Sequence, residues 1–72
     1  MGEIRENVRK NICWIVENHE DGNASEFSRK IGVSPQTACN WQKGRNTPDV
    51  ETLAVIVRTY GTTMDWMVAS HD

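Results

Sequence analysis

The apolar residues near the start of the chain recur at the spacing of a single helix face. Intervals of four, four, three and one residues separate Ile4, Val8, Ile12, Ile15 and Val16, which is the period of an α-helix. The positions between them are mostly Glu, Arg and Asn, as expected for a helix with one side in water. We therefore predict a first helix from about Glu3 to His19, followed by a turn at residues 20–22.

A second, shorter helix is indicated by the residues at its two ends. Asn23 is a good N-cap, and Glu26 three residues later predicts a variant of the capping box. Phe27 and Ile31 lie on one face of this helix. Gly32 ends it, because glycine enters the left-handed conformation at low cost.

Three further helices follow from the same kind of signal. Their predicted N-caps are Ser34, Asp49 and Thr63. Pro35 stands at the first position of the third helix, where a missing N–H is no loss, and Gly44 ends that helix. Gly61 ends the fourth helix. The apolar positions of the fourth helix are Val50, Leu53, Ile56, Val57 and Tyr60, and those of the fifth are Trp66 and Met67.

Residues 24–43 meet the steric requirements of a helix-turn-helix. Two short helices joined by a tight turn cross closely, so the fifth position of the unit must be small and the ninth must tolerate the turn; these are Ser28 and Gly32. The positions that face the core hold Phe27, Ile31, Val33, Ala38 and Trp41. With no alternating strand pattern elsewhere, we predict an all-α fold and a single domain over residues 1–72.

The charge of the chain changes sign along its length, although the net charge is −2. Residues 1–26 carry six acids and three bases, and residues 48–72 carry four acids and one base. Residues 27–47 contain no acid, and their bases are Arg29, Lys30, Lys43 and Arg45. This concentration favours a polyanionic partner. The alternative is that these bases simply form a solvated surface. For Arg29 and Lys30, contact with a nucleic-acid backbone and plain solvation are evenly balanced.

Other functional classes find little support in the sequence. No apolar run approaches the roughly 18 residues needed to span a bilayer, and the start lacks the features of a signal peptide, so we expect a cytoplasmic protein. Cys13 and Cys39 are predicted to be free thiols, without the spacing of a metal site. His19 and His71 are expected on the surface. We find no pattern typical of an enzyme and expect no cofactor and no small-molecule substrate.

A series of landmarks runs through most of the chain. It begins with Phe-Ser-Arg-Lys-Ile-Gly-Val-Ser at residues 27–34 and continues with Trp41, Gly44, Pro48, Glu51-Thr52-Leu53, Tyr60-Gly61 and Asp65-Trp66-Met67. In order and spacing these residues resemble the phage repressor/Cro (Xre-like) helix-turn-helix family over roughly residues 8–68. The resemblance implies a five-helix, lambda-repressor-like domain that binds operator DNA as a two-fold dimer. It also implies a transcriptional regulator, most simply a repressor, whose third helix (Pro35–Lys43) lies in the major groove.

That docking geometry selects candidate contacts to the bases. A helix that enters the groove N-terminus first presents its early, solvent-facing residues, which are Pro35, Gln36, Thr37, Cys39 and Asn40. The carboxamides of Gln36 and Asn40 suit adenine, which pairs with them through N6 and N7. Thr37 can contact a thymine methyl group or a phosphate. Three interpretations of Cys39 are open: it makes a small apolar contact, it acts as a redox switch, or it has no role in binding. We prefer an interpretation without redox chemistry.

Candidate phosphate contacts lie at the helix ends. They are Asn23, Ser25, Ser34, Lys43, Arg45 and Asn46. The sequence departs from the family at Ala24 and Pro35, two positions where the family often has Gln. Neither residue supplies a polar side-chain contact, so we expect fewer direct base contacts than in typical members.

Two questions stay open at this stage. The acidic flanks and Pro35 allow an alternative in which the same fold is a protein-interaction or antitoxin-type module that does not bind DNA. Trp41 is predicted in the core, whereas Trp66 suits either the core or a dimer interface. Trp14 lies off the apolar stripe of the first helix and is expected at its edge or against a partner.

Overall fold

The computed structural model describes residues 2–71, and these form five α-helices. In chain order the helices are α1 (Gly2–His19), α2 (Ala24–Ile31), α3 (Pro35–Gln42), α4 (Val50–Tyr60) and α5 (Met64–Val68). The described residues contain no strand, so the predicted all-α fold is confirmed. None of these helices is long and apolar enough to cross a membrane.

All five helices contribute side chains to one apolar core. The buried apolar residues are Val8, Ile12, Ile15, Val16, Phe27, Ile31, Ala38, Trp41, Leu53, Ile56 and Met67. The period of α1 therefore predicted its buried face correctly from Val8 onward. Trp41 lies in the core as predicted, and Trp66 is half-buried against the core.

Two apolar residues that were predicted to face the core are exposed. Ile4 is 50% exposed and Val50 is 73% exposed. Helix α5 meets α1 at Asn7 and Asn11, so the first turn of α1 extends beyond the helix that would cover Ile4. Val50 is the first residue of α4, ahead of the buried stretch that begins at Leu53.

Asn11 was predicted to face solvent with the other polar residues of α1, and this prediction is wrong, because Asn11 is buried. Its side chain is within hydrogen-bond distance of three carbonyl oxygens at the end of α5. Nδ2 of Asn11 lies 3.0 Å from the carbonyl oxygen of Trp66, 2.8 Å from that of Met67 and 3.0 Å from that of Ala69. These bonds attach the shortest helix to the longest one.

The predicted N-caps of α2 to α5 are confirmed. Side-chain oxygens accept from the backbone N–H three residues later at Asn23 (3.1 Å), Ser34 (3.2 Å), Asp49 (2.8 Å) and Thr63 (3.1 Å). The capping box at Asn23 is only half formed. The Glu26 carboxylate binds Arg29, and the N–H of Asn23 donates to the carbonyl of Glu20 instead.

The turn between α2 and α3 has the predicted geometry. Gly32 has φ +87°, and the N–H groups of Gly32 and Val33 both donate to the carbonyl of Ser28. Ser28 itself is 1% exposed, and its hydroxyl donates to the carbonyl of Ser25 at 2.8 Å. A larger side chain at this position would push α3 away from α2, so the small residue sets how closely the two helices pack.

Candidate nucleic-acid interface

The face of α3 that points away from the core carries the predicted base-contacting residues. Pro35 and Gln36 are exposed, and the other three, Thr37, Cys39 and Asn40, are half-buried. The core-facing positions between them, Ala38 and Trp41, are buried. The structure therefore places all five predicted residues on one side of α3 or along its margin.

Gln36 and Asn40 are bonded to each other across one helical turn. Nε2 of Gln36 donates to Oδ1 of Asn40 at 3.1 Å. This leaves Oε1 of Gln36 as an acceptor and Nδ2 of Asn40 as a donor on the same face. Adenine presents the complementary pair in the major groove, with N6–H as donor and N7 as acceptor.

The first turn of α3 is held by Ser34 and Thr37. The N–H of Thr37 donates to Oγ of Ser34, and the two hydroxyl oxygens are 2.9 Å apart. Since only one of the two hydroxyls donates to the other, the second O–H group is available to a phosphate oxygen. The backbone N–H groups at this helix start add partial positive charge.

The loop after α3 presents two cations. The N–H of Lys43 donates to the carbonyl of Cys39, Gly44 has φ +78°, and the N–H of Arg45 donates to the carbonyl of Asn40. This turn leaves Lys43, Arg45 and Asn46 exposed immediately beyond the helix. Neither Lys43 nor Arg45 forms an ion pair with any residue that the structure describes.

The other two bases of the acid-free segment are paired with acids. Arg29 binds Glu26 at 2.8 Å, and Lys30 binds Glu20 at 2.7 Å. The hydrogen bond from Arg29 holds the pKa of Glu26 below its usual value. The unpaired positive charge of residues 27–47 is therefore confined to the loop at the end of α3.

Comparison with known proteins places the chain in a family. A family model described as helix-turn-helix matches residues 21–67, from the turn before α2 to the last residue but one of α5. The chain belongs to the Xre/lambda-repressor-like helix-turn-helix family. No curated protein and no solved structure matched the chain. Family membership supports a DNA-binding regulator, and the family is not typically enzymatic.

The start of α2 carries two further residues that were predicted as phosphate contacts. Asn23 and Ser25 are exposed there, and the first N–H groups of a helix have no partner within it. Ala24 is half-buried and packs against the core. Pro35, at the start of α3, is exposed but has no N–H. Both departures from the family pattern thus lie at helix starts, where Ala24 offers no polar side-chain group and Pro35 offers neither a polar side-chain group nor an N–H.

Two arginines of α1 also reach this region, and the sequence did not indicate it. Nε of Arg5 donates to Oγ1 of Thr47 at 3.1 Å, and an Nη of Arg9 makes a long contact of 3.5 Å with the carbonyl of Gln42. Both arginines line a cleft of about 270 Å³ with Trp41 and the loop after α3. Arg9 is paired with Glu6, whereas Arg5 is exposed. Their spacing of four residues places both on one face of α1, but it does not indicate their partners, which lie more than thirty positions away.

The two cysteines are free thiols, as predicted, and both are half-buried. Sγ of Cys13 lies 3.8 Å from the carbonyl of Gln42, between α1 and α3. Burial raises the pKa of the Cys13 thiol, which keeps it protonated. Cys39 is half-buried at the margin of the α3 face that carries Gln36 and Asn40.

Proposed function

We propose that the protein binds double-stranded DNA in a sequence-specific manner as a homodimeric transcriptional regulator, with repression as its role. The observation that carries this proposal is the juxtaposition at α3. A face with an outward acceptor and donor, at Gln36 and Asn40, is followed directly by the unpaired cations Lys43 and Arg45. Base contacts and phosphate contacts are thereby offered side by side. This role would place the protein in the cytoplasm, in contact with DNA.

In this proposal α3 lies in the major groove with its N-terminal turn against the base edges. Gln36 and Asn40 contact an adenine, and the methyl group of Thr37 contacts a thymine. Pro35 and Cys39 fill the remaining space by apolar contact. The set of direct hydrogen bonds is small, so the sequence preference should be correspondingly modest.

Phosphate contacts surround this face in the proposed complex. They come from the start of α2, the start of α3 and the loop after α3, through Asn23, Ser25, Ser34, Lys43, Arg45 and Asn46. We add Arg5, an exposed residue whose guanidinium donates to Thr47 beside the loop. Each neutralised phosphate releases counterions, so these contacts make binding depend on salt.

Dimerisation is proposed because one module of this size buries too little surface on DNA for useful affinity. Two copies related by a two-fold axis would contact half-sites about one helical turn, ~34 Å, apart. The operator is accordingly expected to be an inverted repeat.

A titration against double-stranded DNA at several salt concentrations tests the proposal. The logarithm of the association constant should fall linearly with the logarithm of the salt concentration. Lys43→Ala, Arg45→Ala and Arg5→Ala should each reduce that slope by about one unit per bound chain. Arg58→Ala is the matched control, because Arg58 is an exposed arginine on α4, and it should leave the slope unchanged. No binding of any duplex at low salt would refute the proposal and favour a protein-interaction module.

A further inference from the structure

A cleft of about 270 Å³ lies between α1 and the loop after α3, beside the proposed DNA-binding face. Its floor is apolar and is made by four buried residues, Val8, Ile12, Trp41 and Pro48. The cleft therefore extends from the surface down to the core. We call it the arginine cleft, because Arg5 and Arg9 of α1 line its polar side.

One of the two arginines is neutralised and the other is not. Glu6 binds Arg9 through both carboxylate oxygens, and the hydrogen bond from Arg9 holds the pKa of Glu6 below its usual value. This pair stays ionised and has no net charge. Arg5 forms no ion pair with any residue in the described part of the chain. The arginine cleft therefore carries one positive charge that is not compensated.

The guanidinium of Arg5 is held at the rim of the arginine cleft. Its Nε donates to Oγ1 of Thr47 at 3.1 Å, and Thr47 also lines the cleft. A guanidinium has five N–H groups, so this bond leaves the two Nη groups to bind both oxygens of a carboxylate. Arg5 is thus oriented for an anion by a neutral partner.

The charges on the neighbouring loop favour an anion as well. Lys43 and Arg45 are exposed there and have no acidic partner among the described residues. The acid of the same loop, Asp49, caps α4 with its carboxylate, where the partial positive charge of the helix start offsets it. The potential around the arginine cleft is therefore positive although the chain as a whole is acidic.

Volume and charge together limit the kind of ligand. Pockets for drug-sized molecules begin at about 300 Å³, so a cleft of about 270 Å³ suits a smaller compound. One uncompensated positive charge balances one negative charge, which favours a carboxylate over a doubly charged phosphate monoester. The apolar floor favours a ring or a branched chain next to that carboxylate.

We propose that the arginine cleft binds a small monocarboxylate with an apolar body. The carboxylate pairs with Arg5, and the apolar body lies against Trp41 and Pro48. This ligand regulates DNA binding, and that part of the inference rests on the proposed function, in which Arg5 contacts a phosphate. Because a carboxylate and a phosphate compete for the same guanidinium, the ligand weakens binding to DNA.

Benzoate is a suitable probe, and it tests the arginine cleft in the absence of DNA. The NMR signals of Val8, Ile12 and Trp41 should shift in a saturable manner as sodium benzoate is added. Those of Trp14 and Trp66, which do not line the cleft, should stay in place. Benzamide has the same shape without the charge and should bind roughly two- to fivefold more weakly. Acetate, which has the charge without the ring, should cause no saturable shift at the same concentration.

The substitution Arg5→Gln separates the charge from the apolar floor. It should lower the affinity for benzoate to that for benzamide and leave the affinity for benzamide unchanged. Arg5 is exposed, so its replacement does not disturb the core. Arg58→Gln is the matched control at an exposed arginine on α4, and it should change neither affinity.

A second titration connects the arginine cleft to DNA. Saturating benzoate should lower the affinity of the wild type for a duplex by the same factor as Arg5→Gln does, with sodium acetate at equal concentration as the control for salt. It should not lower the affinity of the Arg5→Gln variant further. A protein that binds no duplex would refute the proposed function, whereas the benzoate titration without DNA would still decide whether the cleft is a ligand site.

Three kinds of result would overturn the inference. The absence of a saturable shift with benzoate would show that the cleft is not a ligand site. Equal binding of benzoate and benzamide, or unchanged benzoate binding by Arg5→Gln, would show that Arg5 does not hold the carboxylate. Benzoate binding that leaves DNA affinity unchanged would show that the arginine cleft does not regulate DNA binding.

Discussion

At the scale of single residues, the bond between Gln36 and Asn40 shapes the proposed contact of α3 with a base. A free carboxamide offers both a donor and an acceptor, and either side chain alone could satisfy adenine. Here one donor and one acceptor are consumed by the bond between them at 3.1 Å. The two side chains therefore act as a unit, in which Oε1 of Gln36 is oriented as an acceptor and Nδ2 of Asn40 as a donor. Loss of either member also leaves the other without its orienting partner.

We expect Gln36→Ala to reduce affinity in a manner that depends on the DNA sequence. The loss should be about 1–3 kcal/mol on the preferred operator and smaller on duplexes changed at the contacted base pair. Selection of preferred duplexes from a random pool, followed by titration of each variant, measures the difference. Lys43→Ala is the comparison, because loss of a phosphate contact should weaken all sequences equally. A uniform loss for Gln36→Ala would show that Gln36 does not contact a base.

The predictability of individual residues depended on how far along the chain their partners lie. The caps at Asn23, Ser34 and Asp49 were predicted correctly because each bonds a group three positions later. Arg5 was counted with the acidic flank because its partner, Thr47, is 42 positions away. The contact residues of α3 could be proposed from sequence, whereas Arg5 required the packing of α1 against the loop after α3.

At the scale of helices, the attachment of α5 depends on a polar side chain in the interior. Helix α5 has only five residues, too few to be stable alone. Met67 anchors it in the core, and Asn11 of α1 satisfies carbonyls at its C-terminal end, where the last turn has no partner within the helix. The spacing of apolar residues cannot reveal a buried hydrogen bond such as that of Asn11, because Asn on a helix is more often solvated. Hence the position of α5 was not predictable in detail, although its existence was.

We expect Asn11→Ala to destabilise the protein by about 1–3 kcal/mol, since buried carbonyl groups would lose their donor. Asn18→Ala is the matched control on the same helix, because Asn18 is exposed and donates only to the carbonyl of Trp14 in its own helix. It should change the free energy of unfolding by less than about 0.5 kcal/mol. Urea denaturation measures both. Equal effects of the two substitutions would show that the bonds to α5 contribute nothing specific.

At the scale of the whole molecule, the distribution of charge has a structural part as well as a functional one. The side chain of Glu20 is only 6% exposed and accepts from both Lys30 and the hydroxyl of Tyr60. This group ties the turn after α1 to α2 and to the end of α4. It also pairs one of the four bases in residues 27–47, and Glu26 pairs a second, Arg29. The sequence showed where the bases lie but could not show which of them fold against acids.

The same interaction predicts how stability depends on pH. The hydrogen bond from Lys30, followed by that from Tyr60, holds the pKa of Glu20 below its usual value. Glu20 therefore contributes stability above its ordinary pKa, and this contribution disappears as the pH falls through the lowered value. Burial and the bond to Glu20 raise the pKa of Tyr60, so the phenol stays a donor throughout this range.

We expect Glu20→Gln to be less stable than the wild type near neutral pH and to lose less stability on acidification, so that the two curves converge as the pH falls through the lowered pKa of Glu20. Urea denaturation at a series of pH values and constant ionic strength measures the curves. Glu6, Glu26 and Asp49 also have lowered pKa values, so the variant retains part of the acid dependence. Glu51→Gln, at an exposed carboxylate on α4, should run parallel to the wild type. If the Glu20→Gln curve also ran parallel, the bonds to Lys30 and Tyr60 would not stabilise the ionised carboxylate, and the tie between α2 and α4 would have to rest on apolar packing alone.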